Sequence, residues 1–77
     1  MPMSKQEKDL QVLGDRVRAA RSALSLSQED LAFRCGLDRT YISGIERGKR
    51  NISVLNLLEL SKALGVQPGE LLDGINK

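Results

Sequence analysis

Apolar residues recur along the first third of the chain at helical spacing. Leu10, Leu13, Val17, Ala20 and Leu24 fall at alternating steps of three and four, the stripe that one face of an α-helix turns toward a core. Asp15, Arg16, Arg18 and Ser22 occupy the opposite side and read as a solvated face. This predicts a first helix over roughly residues 9–24, preceded by a polar, mobile arm over residues 1–8. Ser27 reads as the N-cap of a second helix, with Asp30 in its first turn, where a carboxylate complements the helix dipole. Leu31, Ala32 and Cys35 are its core positions. A third helix over about 39–47 buries Ile42 and Ile45 and stops at Gly48. Ser53 caps a fourth, on which Val54, Leu57, Ser61 and Leu64 make one stripe and Leu55 and Leu58 a second. Gly65 ends it, and Pro68 suits the first position of a short fifth helix carrying Leu71, Leu72 and Ile75. The expected fold class is all-α, five helices without a strand, with residues 9–77 forming one domain.

The segment 27–52, SQEDLAFRCGLDRTYISGIERGKRNI, carries the most specific pattern. Ala32 is small enough for two helices to cross closely. Gly36 follows at four residues, where the second helix must stop, and Ile42 follows at ten, pointing back into the shared core. Glycine takes positive φ without a Cβ penalty, so it suits a sharp turn after a helix. Asp38 offers an acceptor to the free amides that open the next helix. Two helices joined this way are a helix-turn-helix, and Arg39, Thr40, Tyr41 and Ser43 stand near the start of the second, the part of a recognition helix that reaches base edges.

Charge sharpens this picture. The net value of +2 says little, but its distribution is uneven. Residues 1–38 hold six basic and six acidic side chains, whereas residues 39–50 hold Arg39, Arg47, Lys49 and Arg50 against Glu46 alone. The excess therefore lies on the recognition helix and the loop after it, where phosphates would lie. The surplus apolar face of the fourth helix raises a different expectation. Leu55, Leu58, Val66, Leu72 and Ile75 are candidates for a two-fold interface between copies of the chain, unless the fifth helix folds back and covers them.

Other functions find little support. There is no histidine and only one cysteine, so the commonest general base and any metal-ligand cluster are missing; no cofactor, metal or small-molecule ligand is expected. Cys35 sits at an apolar helix position and reads as a small core residue. No apolar stretch approaches the ~20 residues of a membrane span, and the start is polar throughout; the expected location is the cytoplasm. An enzyme is not expected. A protein-interaction module that uses the helix-turn-helix shape for assembly remains the competing class.

Residues 13–72 resemble the Xre-type helix-turn-helix family of phage and bacterial repressors, through VRAAR, SQEDLA, the glycine turn, YISGIERGKRN and the leucine-rich fourth helix. The string LDRTYISGIERGKRN makes the chain most similar to controller proteins of restriction–modification systems, with phage-type repressors and antitoxins of the same fold as alternatives. The resemblance implies a lambda-repressor-like fold and a homodimer that binds an inverted-repeat operator in double-stranded DNA and regulates its own operon. RNA polymerase is a further partner that such a regulator would be expected to meet. It implies a phosphate contact for Gln28, base reading by Arg39, and DNA contacts by Arg50 and Asn51. Thr40 would meet a base edge or thymine methyl, Tyr41 the sugar–phosphate or a base, and Ser43 a phosphate. It also pairs Glu46 with Arg21 as a structural ion pair, which keeps both out of the contact set. Gly44, inside a helix where glycine costs roughly 0.5–1 kcal/mol relative to alanine, calls for a close approach, to DNA or to the second helix.

Overall fold

The computed structural model describes residues 2–75 and contains, among these, five helices and no strand. They are α1 (Lys5–Ala23), α2 (Gln28–Cys35), α3 (Arg39–Glu46), α4 (Val54–Leu64) and α5 (Pro68–Leu72). The expected all-α class and element order are present. The domain ends read from the sequence, residue 1 and residues 76–77, lie outside the described residues.

The first helix begins earlier than its apolar stripe. Ser4 is its N-cap: the hydroxyl accepts from the Glu7 amide at 3.1 Å and the Glu7 carboxylate accepts from the Ser4 amide at 2.9 Å. This reciprocal pair satisfies two amides that would otherwise lack partners, enough to hold a polar first turn in helical form without burial. The mobile arm over residues 1–8 is therefore corrected: residues 5–8 are helical. Leu24, placed on the buried stripe, lies past the helix end and is 46% exposed.

Leu13 and Val17 of α1, Leu31, Ala32 and Cys35 of α2, Ile42 and Ile45 of α3, and Leu57, Leu60 and Leu64 of α4 form one core, closed by Leu71 of α5. On α4 the buried stripe is Leu57, Leu60, Ser61 and Leu64. Val54, expected on that stripe, sits in the first turn and is 73% exposed, while Leu60, absent from both expected stripes, is fully buried. A helix covered by α2 on one side and α5 on the other buries an arc wider than a single stripe.

Between α2 and α3, Gly36 adopts φ 68°, and the Leu37 amide donates to the Ala32 carbonyl at 3.0 Å. Asp38 accepts from the Thr40 amide at 2.8 Å and so opens α3. The core positions that the helix-turn-helix pattern required, Ala32 and Ile42, are both buried. Cys35 is buried too; its Sγ donates to the Leu31 carbonyl at 3.0 Å, and burial pushes the thiol pKa up, away from reactivity.

Candidate nucleic-acid interface

The third helix sorts its residues by angle. At about 100° per residue, Ile42, Ile45 and Glu46 fall on one arc, and all three are buried. Thr40 and Arg47 fall opposite and are exposed, while Arg39 and Ser43 lie along the edge beside Glu46, Arg39 exposed and Ser43 half-buried. Tyr41 lies on the flank and is half-buried.

Glu46 explains how a basic face can contain an acid. Its side chain is fully buried, and Arg21 grips it with two bonds, Nε to Oε2 at 2.7 Å and Nη2 to Oε1 at 2.9 Å. Gln28 Nε2 adds a bond to Oε1 at 3.1 Å, and Arg18 Nε stands 3.5 Å from the same oxygen. Arg21 Nη1 also donates to the Leu26 carbonyl at 2.8 Å. One buried carboxylate thus ties α1, the α1–α2 loop, the start of α2 and the end of α3 together. Burial alone would raise the Glu46 pKa, but the hydrogen bonds from Arg21 and Gln28 and the arginine charge outweigh it, so the carboxyl lies below its ordinary value. With this acid turned inward and neutralised, Arg39, Arg47, Lys49 and Arg50 form no ion pair among the described residues. Their charge faces solvent.

The sequence-predicted contacts differ in what they can offer. Arg39, exposed at the start of α3, has its guanidinium available for a bidentate pair. Thr40 is exposed, but its hydroxyl donates to Asp38 Oδ1, leaving a methyl group and oxygen lone pairs for a partner. Tyr41 Oη accepts from Asn56 Nδ2 at 3.1 Å, so its own proton is free to be donated. Arg50 is exposed and its guanidinium carbon lies 5.9 Å from the Tyr41 ring centroid, which gathers these two residues on one flank of α3. Asn51 is exposed and lines a groove with Gln6, Asp9 and Leu10 of α1. Gln28 is half-buried; one of its donors is engaged by Glu46, and Glu29 and Asp30 follow it directly. It serves first to build the ion-pair network.

Sequence reasoning missed four positions. Arg18, read as part of a solvated face, joins the Glu46 network. Asn56 orients Tyr41, and a polar residue on an otherwise apolar helix face was the available signal. Gly14 lets α1 cross the end of α3: a Cβ there would meet the carbonyl oxygens of Ile45 and Glu46. Arg16, from the same supposed solvated face, donates to the Glu70 carbonyl at 3.2 Å and helps seat α5. Gly44 is buried, and the atoms nearest to a Cβ built there, outside the backbone of α3, belong to Arg50 rather than to the second helix.

A two-helix turn of this geometry, with a cationic outer face on its second helix, defines a helix-turn-helix DNA-binding domain. The chain belongs to the Helix-turn-helix family, whose pattern it matches over residues 17–71. It is 59% identical over 63 residues to Control protein C.BamHI of Bacillus amyloliquefaciens, covering 80% of this chain and 78% of that one. Control protein C.MunI of a Mycoplasma species is 45% identical, over 83% of this chain and 88% of the relative. The crystal structure of the restriction–modification controller protein C.AhdI from Aeromonas hydrophila superposes with a TM-score of 0.82 at 53% identity, over 83% of this chain and 97% of that one. The resemblance read from the sequence holds, and the protein is a DNA-binding transcriptional regulator rather than an enzyme. No helix among the described residues is long and apolar enough to cross a membrane.

Proposed function

We propose that this regulator is a restriction–modification controller: a homodimer that binds an inverted-repeat operator upstream of its own gene and sets expression of its operon together with the endonuclease. The observation that carries the DNA face is the burial of Glu46, the one acid of residues 39–50, which leaves four outward cations on and beside α3. The kinship to Control protein C.BamHI and to C.AhdI supports the regulated system. Each protomer lays α3 in a major groove, with half-site centres about 34–36 Å apart. Arg39 reads a base, and Thr40, Tyr41, Ser43, Gln28, Arg50 and Asn51 complete the contact set. Recruitment or exclusion of RNA polymerase then follows from where the operator lies relative to the promoter.

Fluorescence anisotropy with labelled duplex from upstream of the gene, against a scrambled duplex, tests this. Binding to the native duplex that persists near physiological salt while the scramble is lost supports the reading. Loss of both as salt rises leaves an electrostatic contact only, and no binding at low salt moves the fold to the protein-interaction class. Arg39→Ala should weaken operator binding by about 1–3 kcal/mol and relax preference at one base pair. Equal weakening on every sequence would place Arg39 on the backbone instead.

Dimerisation rests on the second face of α4. Leu55 is 75% exposed and Leu58 43%, and with Val66 and Pro68 they line an open groove of about 420 Å³ between α4 and the start of α5. Leu72 is also exposed, whereas Val66 and Ile75 are half-buried against the chain's own core. Those two are drawn toward the chain's own core, and Leu55, Leu58 and Leu72 carry the remainder of the proposed interface. Leu58→Lys should shift the protein from dimer to monomer in sedimentation equilibrium and leave its helical circular dichroism intact. An unchanged sedimentation mass would move the interface elsewhere.

A further inference from the structure

Gly44 lies on the outer arc of α3 by its helical angle, yet it is buried. The cover comes from Arg50, whose chain folds back along α3. A Cβ built on Gly44 would meet Arg50 Cγ at 2.5 Å, with Arg50 Nε and Cδ next at 3.4 and 3.5 Å. Outside the backbone of α3 itself, these three Arg50 atoms are the nearest, and no residue of α2 comes as close. Beyond this slot the guanidinium comes to rest over the Tyr41 ring, 5.9 Å from its centroid, a distance at which a ring face attracts a cation. The ring is itself fixed, because Tyr41 Oη accepts from Asn56 of α4. A loop arginine with four side-chain torsions thus lies in a track floored by a glycine and ended by an oriented aromatic ring.

We propose that Gly44 is a positioning residue for Arg50: the absent side chain keeps open the slot through which Arg50 reaches the flank of α3 and enters the same groove as the recognition helix. This rests on the DNA-binding reading given above. Any side chain at position 44 closes the slot and frees the arginine to solvent, where ordering it again on DNA costs conformational entropy. The slot therefore has a measurable signature, because stability and affinity should move in opposite directions. Alanine at a helix interior is preferred over glycine, and the nearest atoms its Cβ would meet outside the backbone of α3 all belong to the side chain of Arg50, an exposed residue.

The test compares wild type, Gly44→Ala, Arg50→Ala and the double variant on one duplex that wild type binds, with thermal melting at fixed protein concentration. Arg50→Ala is expected to weaken binding about tenfold or more, and Gly44→Ala about three- to tenfold. The double variant should match Arg50→Ala within about twofold, since Gly44 acts only through that side chain. The melting midpoint of Gly44→Ala should rise by about 2–8 °C. A double variant whose loss is the product of the two singles would overturn the inference, because Gly44 would then meet DNA directly. So would a fall in melting midpoint, an unchanged affinity in Gly44→Ala, or an unchanged affinity in Arg50→Ala; none of these touches the function of the face as a whole. Failure of wild type to bind any duplex would instead remove the DNA-binding reading beneath it.

Discussion

Glu46→Ala should destabilise the fold by about 3–5 kcal/mol, the range for breaking a buried ion pair from one side. The carboxylate is fully buried and receives Arg21 in two bonds and Gln28 in a third. Its removal leaves a 16%-exposed guanidinium without its counter-charge at the junction of three helices. A domain of this size holds only about 5–15 kcal/mol in total, so the thermal midpoint should fall by more than ~10 °C. Glu46→Gln separates charge from shape. The folded-state carboxyl lies below its ordinary value, so its contribution is complete above the unfolded pKa of about 4.3 and disappears as pH falls through the depressed folded value. The glutamine variant should be less stable at neutral pH and should lose less stability on acidification than wild type. Equal acid slopes for the two proteins would assign the acid sensitivity to other carboxylates.

Gly14→Ala should be nearly as damaging, for a steric reason. A Cβ at this position would lie 2.7 Å from the Glu46 carbonyl oxygen and 2.9 Å from its carbon, and would also collide with the Ile45 carbonyl oxygen. All three are backbone atoms of α3, so relief requires moving the helix rather than rotating a side chain. Overpacking typically costs about 1–3 kcal/mol, with more where nothing can yield, and the gain from alanine's helix preference is at most about 1 kcal/mol. The clash wins. Because α3 would be pushed off α1 at Glu46, DNA affinity should fall as well. Gly69→Ala is the control, since nothing lies within 4 Å of its Cβ position; it should melt at or slightly above the wild-type midpoint, because the helix preference of alanine is there unopposed by a clash. A melting midpoint for Gly14→Ala at or above the wild-type value would show that α1 and α3 tolerate a wider crossing.

Much of the architecture was legible because each cue was local. Ser27, Asp38 and Ser53 each cap the helix they were expected to open, and Gly36 and Gly65 close α2 and α4 with φ of 68° and 69°. The Ser4–Glu7 box was equally visible as a serine three residues before a glutamate, but a stripe-based reading passes over a turn that is polar all round. The Arg21–Glu46 pair was legible only through the family pattern, since the two residues lie 25 positions apart. For α4, hydrophobicity alone could not select between Val54 and Leu60, because nearly every face of that helix is apolar.

The sequence by itself determined which segments are helical, where they turn, and that positive charge gathers on the second helix of a helix-turn-helix. Those properties depend on neighbours within four residues and on composition, which the chain carries before it folds. Only the tertiary structure decided which charge is turned inward and which outward. Glu46 is neutralised because α1 delivers Arg21 to it, and Gly44 has a role because a residue six positions later folds back across it. Such pairings depend on the crossing of α1 on α3 and the path of one loop. Packing fixes these by the space it leaves, and no run of adjacent residues encodes that space.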